Sequence, residues 1–97
     1  MKKIIKGAYK INDEIVNLND FVEKNNAIFR FLIKFANDNN IGFNIGTSNK
    51  GDILCEYIVI KQTLKECKIA LLEFKKKLKM IFKKVETLYE ANGDKLF

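Results

Sequence analysis

From residue 64 onward, apolar side chains recur with a helical rhythm. Leu64, Cys67, Leu71, Phe74, Leu78, Ile81, Val85 and Leu88 follow one another at alternating spacings of three and four. That period places them on one side of an α-helix. Thr63 and Glu66 form a capping box in front of the run, and Asn92-Gly93 supplies a stop behind it. The spacing predicts one long helix over residues 64–91.

The first half of the chain is more varied. Residues 8–11 and 14–18 are β-rich runs flanking Asn12-Asp13, a pair that tolerates tight turns, so residues 3–18 read as a hairpin. Asp20 and Glu23 form a second capping box, which opens a helix of roughly 18 residues. Its apolar residues include Phe21, Ile28, Phe29, Phe31, Leu32 and Phe35 and cover more than half its circumference. A face that wide predicts burial against more than one neighbour. The run Asn37-Asp38-Asn39-Asn40 ends the helix, with asparagine able to take the left-handed position.

Residues 41–46 alternate apolar with small or polar positions, the period of a half-buried strand, and 47–52 form a loop. Residues 53–60 carry two signals. Ile58-Val59-Ile60 is β-branched and favours a strand, whereas Ile53, Tyr57 and Ile60 stay in phase with the following helix. A strand is preferred, because the preceding strand needs a partner for its backbone groups.

The expected fold is therefore α+β, a single domain over residues 1–97. Its order is ββαββα, with two helices on one face of a small antiparallel sheet. The alternative is a mostly α-helical hairpin with a short N-terminal β-hairpin, in which residues 52–91 form one continuous helix.

Charge sharpens the picture. The net charge is +6, from 17 Lys and one Arg against 12 acidic residues. Between Lys61 and Lys84 there are nine Lys and two Glu, so this segment carries +7 and the remainder −1. Lys61, Lys65, Lys68, Lys75, Lys79 and Lys83, with Lys76 beside them, line one flank of the expected helix. As a continuous rod that stripe would extend roughly 33 Å, enough to follow several phosphates or an acidic protein surface. Ile69, Leu72 and Met80 point away from the apolar seam and mark a possible second contact surface.

The helix flanks also weigh against self-pairing. With Leu64 and its heptad equivalents at position a, the g and e positions offer no opposite-sign pair. A homo-oligomer through a simple two-stranded coiled coil is disfavoured.

Catalytic signals are thin. The chain has no His, and its two cysteines, Cys55 and Cys67, lie in apolar surroundings and suit a reducing, cytoplasmic setting. No metal or cofactor motif is present, and Lys50 in the 47–52 loop lacks the Gly-Lys-Ser/Thr order of a phosphate-binding loop. The opening Met1-Lys2-Lys3-Ile4-Ile5-Lys6 does not read as a signal peptide, and apolar runs such as residues 57–60 are four long, too short to span a bilayer.

The expectation is a non-enzymatic binding protein. It would be a small regulator or inhibitor, of the type mobile elements encode, that engages another protein through the long basic helix. The alternative is a nucleic-acid-binding accessory protein using the lysine stripe of residues 61–84. A single Arg leaves little scope for bidentate base recognition. Tyr9 and Tyr57 would serve as stacking platforms only if they faced outward.

Overall fold

A computed structural model describes residues 2–11 and 17–93. In chain order the elements are β1 (Lys3–Ile11), α1 (Leu18–Lys24), α2 (Asn26–Asp38), β2 (Ile41–Thr47), β3 (Ile53–Lys61), α3 (Leu64–Ile81) and β4 (Val85–Gly93). The strands form one antiparallel sheet in the order β2-β3-β1-β4. Strands β1 and β4, like β2 and β3, are neighbours, and helices carry the chain from β1 to β2 and from β3 to β4. This is the split βαβ, or ferredoxin-like, arrangement.

The α+β class, the antiparallel sheet and the packing of helices on one of its faces are as expected. The order of elements is not. Residues 82–91 were expected to continue the long helix, but α3 stops at Ile81 and the chain turns into β4. Two facts favour the strand. Val85, Thr87 and Tyr89 are β-branched or aromatic residues at every second position. In addition, β1 lies inside the sheet, so its second edge needs a hydrogen-bonding partner, which β4 supplies from Ile4↔Gly93 to Ile11↔Val85. The last two members of the heptad run were thus in phase by coincidence, and Leu88 is half exposed.

The strand expected at 14–18 lies largely outside the described residues. Its end does not: Asn17 caps α1 by accepting from the Asp20 N–H, and Leu18 is already helical. Asp20 therefore stands inside the first turn and is not the cap.

The long helix expected to start near Asp20 breaks at Asn25. The Asn25 side-chain amide donates to the Phe21 carbonyl at 2.8 Å, competing with the regular ladder. Thr63 caps α3 as expected: its hydroxyl accepts from the Glu66 N–H and donates to the Glu66 carboxylate, each at 3.1 Å, so the glutamate meets the cap's side chain. Asn40 takes a left-handed conformation (φ 54°), as the asparagine run anticipated.

Alternation sorts the strands into two faces. Ile5, Tyr9 and Ile11 from β1 and Ile53, Cys55, Tyr57 and Val59 from β3 meet the helices. Cys67, Leu71, Phe74 and Leu78 come down from α3, with Phe29, Leu32 and Ala36 from α2. Just beyond α3, Phe82 is buried against Phe21 (stacked, 5.3 Å) and Phe29 (edge-on, 6.0 Å). Ile4 and Ala8 are also buried, yet they stand outside this core, on the opposite face of the sheet.

Candidate functional site

The apolar seam of α3 packs on the sheet and on α2, so the remaining helix surface falls into a flank beside β4, an outer face and a flank beside α2. The predicted lysine flank is divided among these regions. Lys61 ends β3 before the helix begins, and Lys83 follows its last turn. Only Lys65, Lys68, Lys75, Lys76 and Lys79 belong to α3, and they cover roughly 21 Å of helix instead of a 33 Å rod. The continuous stripe is overturned because the rod that would have carried it ends at Ile81.

Several of these ammonium groups are already engaged. Lys75 donates to Thr87 Oγ1 at 3.4 Å and lies 5.6 Å from the Tyr9 ring centre, tying α3 to β4. Lys76 pairs with Glu73 one turn back, at 3.4 Å. Lys77, on the α2 side, covers the Phe35 ring at 4.8 Å. Lys65, Lys68 and Lys79 extend outward, exposed.

The trio Ile69, Leu72 and Met80 is also divided. Met80, 78% exposed, faces α2 across a groove of about 450 Å³. The far wall is Ile28, Phe31, Leu32 and Phe35 from α2, with Lys34, Asp38 and Lys77 at the rim. Ile69 lines a smaller dent of about 230 Å³ at the other end of the same helix pair, beside Phe35, Lys61 and Glu66. Leu72 stands on the outer face, half exposed, in neither depression.

Phe31 is the residue that sequence reasoning missed. It is 75% exposed, with Ile28 and Ile33 also largely open to solvent. The surplus apolar width of α2 was expected to be buried against further neighbours. Instead the sheet and α3 cover only one side of it. The excess of apolar positions was legible; what it signified was not.

Of the sheet tyrosines, Tyr89 turns outward, 53% exposed, where the β1–β4 pairing shifts from Tyr9↔Thr87 to Ala8↔Tyr89, whereas Tyr9 and Tyr57 point inward. Tyr9 and Tyr57 are stacked at 4.7 Å and buried, so neither offers an outward platform for a base. Burial pushes the Tyr9 hydroxyl up to about 12 and raises Tyr57 further, with Glu90 adding to both. Burial likewise raises Cys55 to about 12 and lifts Cys67. At neutral pH these groups are protonated, and a protonated thiol is a weak nucleophile. Among the described residues no three His, Cys, Asp or Glu side chains gather as metal ligands would, and no helix is long and apolar enough to cross a membrane.

No family model matches the chain, and no curated protein matches it in sequence. Two solved structures share its fold. One is a de novo designed protein, Foldit4 (TM-score 0.62, 9% identity, covering 99% of this chain and 100% of that one). The other is a structural-genomics protein, YJCS (TM-score 0.59, 15% identity, 99% and 100%). At such identities the likeness concerns the fold alone.

Proposed function

We propose that the chain is a non-enzymatic binding protein of the cytoplasm, a small regulator or inhibitor that engages an acidic amphipathic segment of another protein. The contact surface is the groove between α2 and α3. The observation that carries this reading is the exposure of Phe31 and Met80 on opposite walls of one groove whose surroundings are basic.

Large exposed apolar side chains cost solubility and contribute most when a partner covers them. The electrostatics select the partner's sign. Helices α2 and α3 together hold eight cations and three carboxylates, a net +5 out of the chain's +6. A helix presenting apolar anchors at i, i+3 and i+7 between glutamates matches both properties. The two free, buried thiols suit a reducing compartment.

A nucleic acid is the second reading, favoured by Lys65, Lys68 and Lys79, which extend into solvent from one helix. It would be backbone attraction without base readout.

One titration tests both. The probes are a fluorescein-labelled acidic amphipathic helix with leucine anchors and a labelled mixed-sequence DNA duplex, each followed by polarization. The expected result is peptide binding that Phe31→Ala and Met80→Ala each weaken at least about tenfold, roughly 1.4 kcal/mol. Equal binding by those variants would remove the groove from consideration. Duplex binding whose log K falls with log salt at a slope of about −3 would support the lysine reading in its place.

A further inference from the structure

The groove between α2 and α3 extends beyond the depression that holds Phe31 and Met80. Helix α2 leads from the Ile11 end of the sheet to the Ile41 end, and α3 leads back from the Lys61 end to the Val85 end, so the two run antiparallel. The larger depression lies at one end of the pair and the dent beside Ile69 at the other. Phe35 lines both, with the Lys77 ammonium seated over its ring. Ile69 and Met80 are each more than half exposed and stand eleven residues apart. Eleven residues are three helical turns, about 16 Å, so both side chains return to the flank of α3 that faces α2.

Charge differs between the two ends. At the larger depression Lys34 and Lys77 outnumber Asp38, and Arg30 stands beside Phe31 one turn before Lys34. At the dent Glu66 and Glu73 outnumber Lys61. All three carboxylates of the two helices thus line this groove, whereas Lys65, Lys68, Lys75, Lys76 and Lys79 line neither depression. The surplus that makes the helix layer basic lies outside the groove, and the groove itself is positive at one end and negative at the other.

Some of these groups already have partners. Lys34 pairs with Asp38 at 3.3 Å and Glu73 with Lys76 at 3.4 Å, all four side chains being about half exposed or more. Glu66 accepts from Thr63. Exposed pairs of this kind are weak, and an ion brought alongside adds to them without having to break them.

We propose, resting on the groove reading above, that the occupant is one helix of another protein that lies along the whole groove in a single direction. Its acidic amino-terminal half covers Phe31 and Met80, and its carboxyl-terminal half, bearing Lys or Arg, covers Ile69. Apolar anchors at i, i+4, i+7 and i+11 form one stripe whose length matches the Ile69–Met80 separation. Opposite charges then face each other at both ends. Acids first and bases last is also the order that a helix's own dipole favours. The partner helix therefore runs alongside α2 in the same direction and antiparallel to α3. An excess of Glu over Lys keeps the segment acidic as a whole, which suits the net +5 of the two helices.

Methyl NMR of the full chain tests the direction. The probe is a synthetic helix of about 18 residues, five turns, with leucines at the four anchor positions. Glutamates fill its first half and fewer lysines its second, and a nitroxide is attached at one end or the other. The amino-terminal label should broaden the Met80 methyl signal and leave the Ile69 δ1-methyl sharp; the carboxyl-terminal label should do the reverse. The opposite pattern, or equal broadening of both methyls from either end, overturns the direction and leaves the groove as the binding surface. A peptide that does not bind, or binds and broadens neither methyl, overturns the groove reading and this proposal together.

Affinity gives a second measurement. Glu66→Lys combined with Glu73→Lys should weaken this peptide about tenfold and tighten an all-glutamate version of it, with an unchanged circular dichroism spectrum. Equal effects on the two peptides overturn the proposal. If the double variant does not fold, the NMR measurement on the unaltered chain decides alone.

Discussion

The Tyr57 hydroxyl passes over Gly7 and donates to Glu90 Oε1 at 3.2 Å, joining β3 to β4 across the strand between them. A β-carbon at position 7 would collide with that hydroxyl and with the Tyr89 carbonyl oxygen. Gly7→Ala should therefore destabilise the fold by about 3 kcal/mol, the cost of forcing an extra methyl into a packed site. Denaturant unfolding measures it. Adding Tyr57→Phe should recover part of the loss and not all, because the backbone collision persists.

Phe82 is the residue on which the chain turns from helix to strand, and it is 1% exposed between Phe21 and Phe29. Phe82→Ala removes a buried ring held against two helices, α1 through Phe21 and α2 through Phe29. A loss of about 3–5 kcal/mol is expected, large against the total stability of a domain this small. Chemical denaturation followed by far-ultraviolet circular dichroism would show it.

The cap of α3 is a smaller test of local structure. Thr63 Oγ1 accepts from the Glu66 N–H and donates to the Glu66 carboxylate. Thr63→Ala should cost about 1 kcal/mol, and Thr63→Ser much less, since serine keeps both hydrogen bonds.

Alkaline pH should unfold the protein earlier than exposed tyrosines would predict. Tyr9 is raised from 10.0 to about 12 and Cys55 from 9.0 to about 12, each chiefly by burial. For an acid whose folded pKa is raised, the unfolded chain ionises first. The stabilisation is complete below the unfolded value and is lost as pH climbs towards the folded one. Denaturation midpoints should thus hold steady up to about pH 9 and fall between there and about pH 12. In Cys55→Ala the fall from about pH 9 should be shallower, because only Cys67 among the thiols still resists ionisation there, and it should steepen from about pH 10, where Tyr9 joins. Midpoints determined across this range check both the sign and the window.

Phe31 and Met80 should behave in the opposite manner to Phe82. Both are mostly exposed, so Phe31→Ser and Met80→Ser should change stability by less than about 0.5 kcal/mol. A larger loss in thermal unfolding would mean that the groove is part of the core.

Short-range signals in the chain were legible because their causes are local. The cap at Thr63, the left-handed stop at Asn40, the strand at 41–47 and the seam from Leu64 to Ile81 depend on residues within one or two turns of each other. The charge of the candidate binding layer could also be counted in advance, because it is a property of composition.

What tertiary structure decided was the fate of segments whose local signals were divided. Residues 85–93 satisfy a helical period and a β-strand preference equally well, and the open edge of β1 settled the matter by offering hydrogen bonds that a longer helix would have left unmade. Which apolar residues of α2 remained in solvent was likewise a matter of where α3 and the sheet could reach. A helix carries its periodicity in its own residues, but the neighbours that cover it are drawn from distant parts of the chain. For that reason the α+β class could be read from one dimension, and the Phe31–Met80 groove and the outward turn of Tyr89 could not.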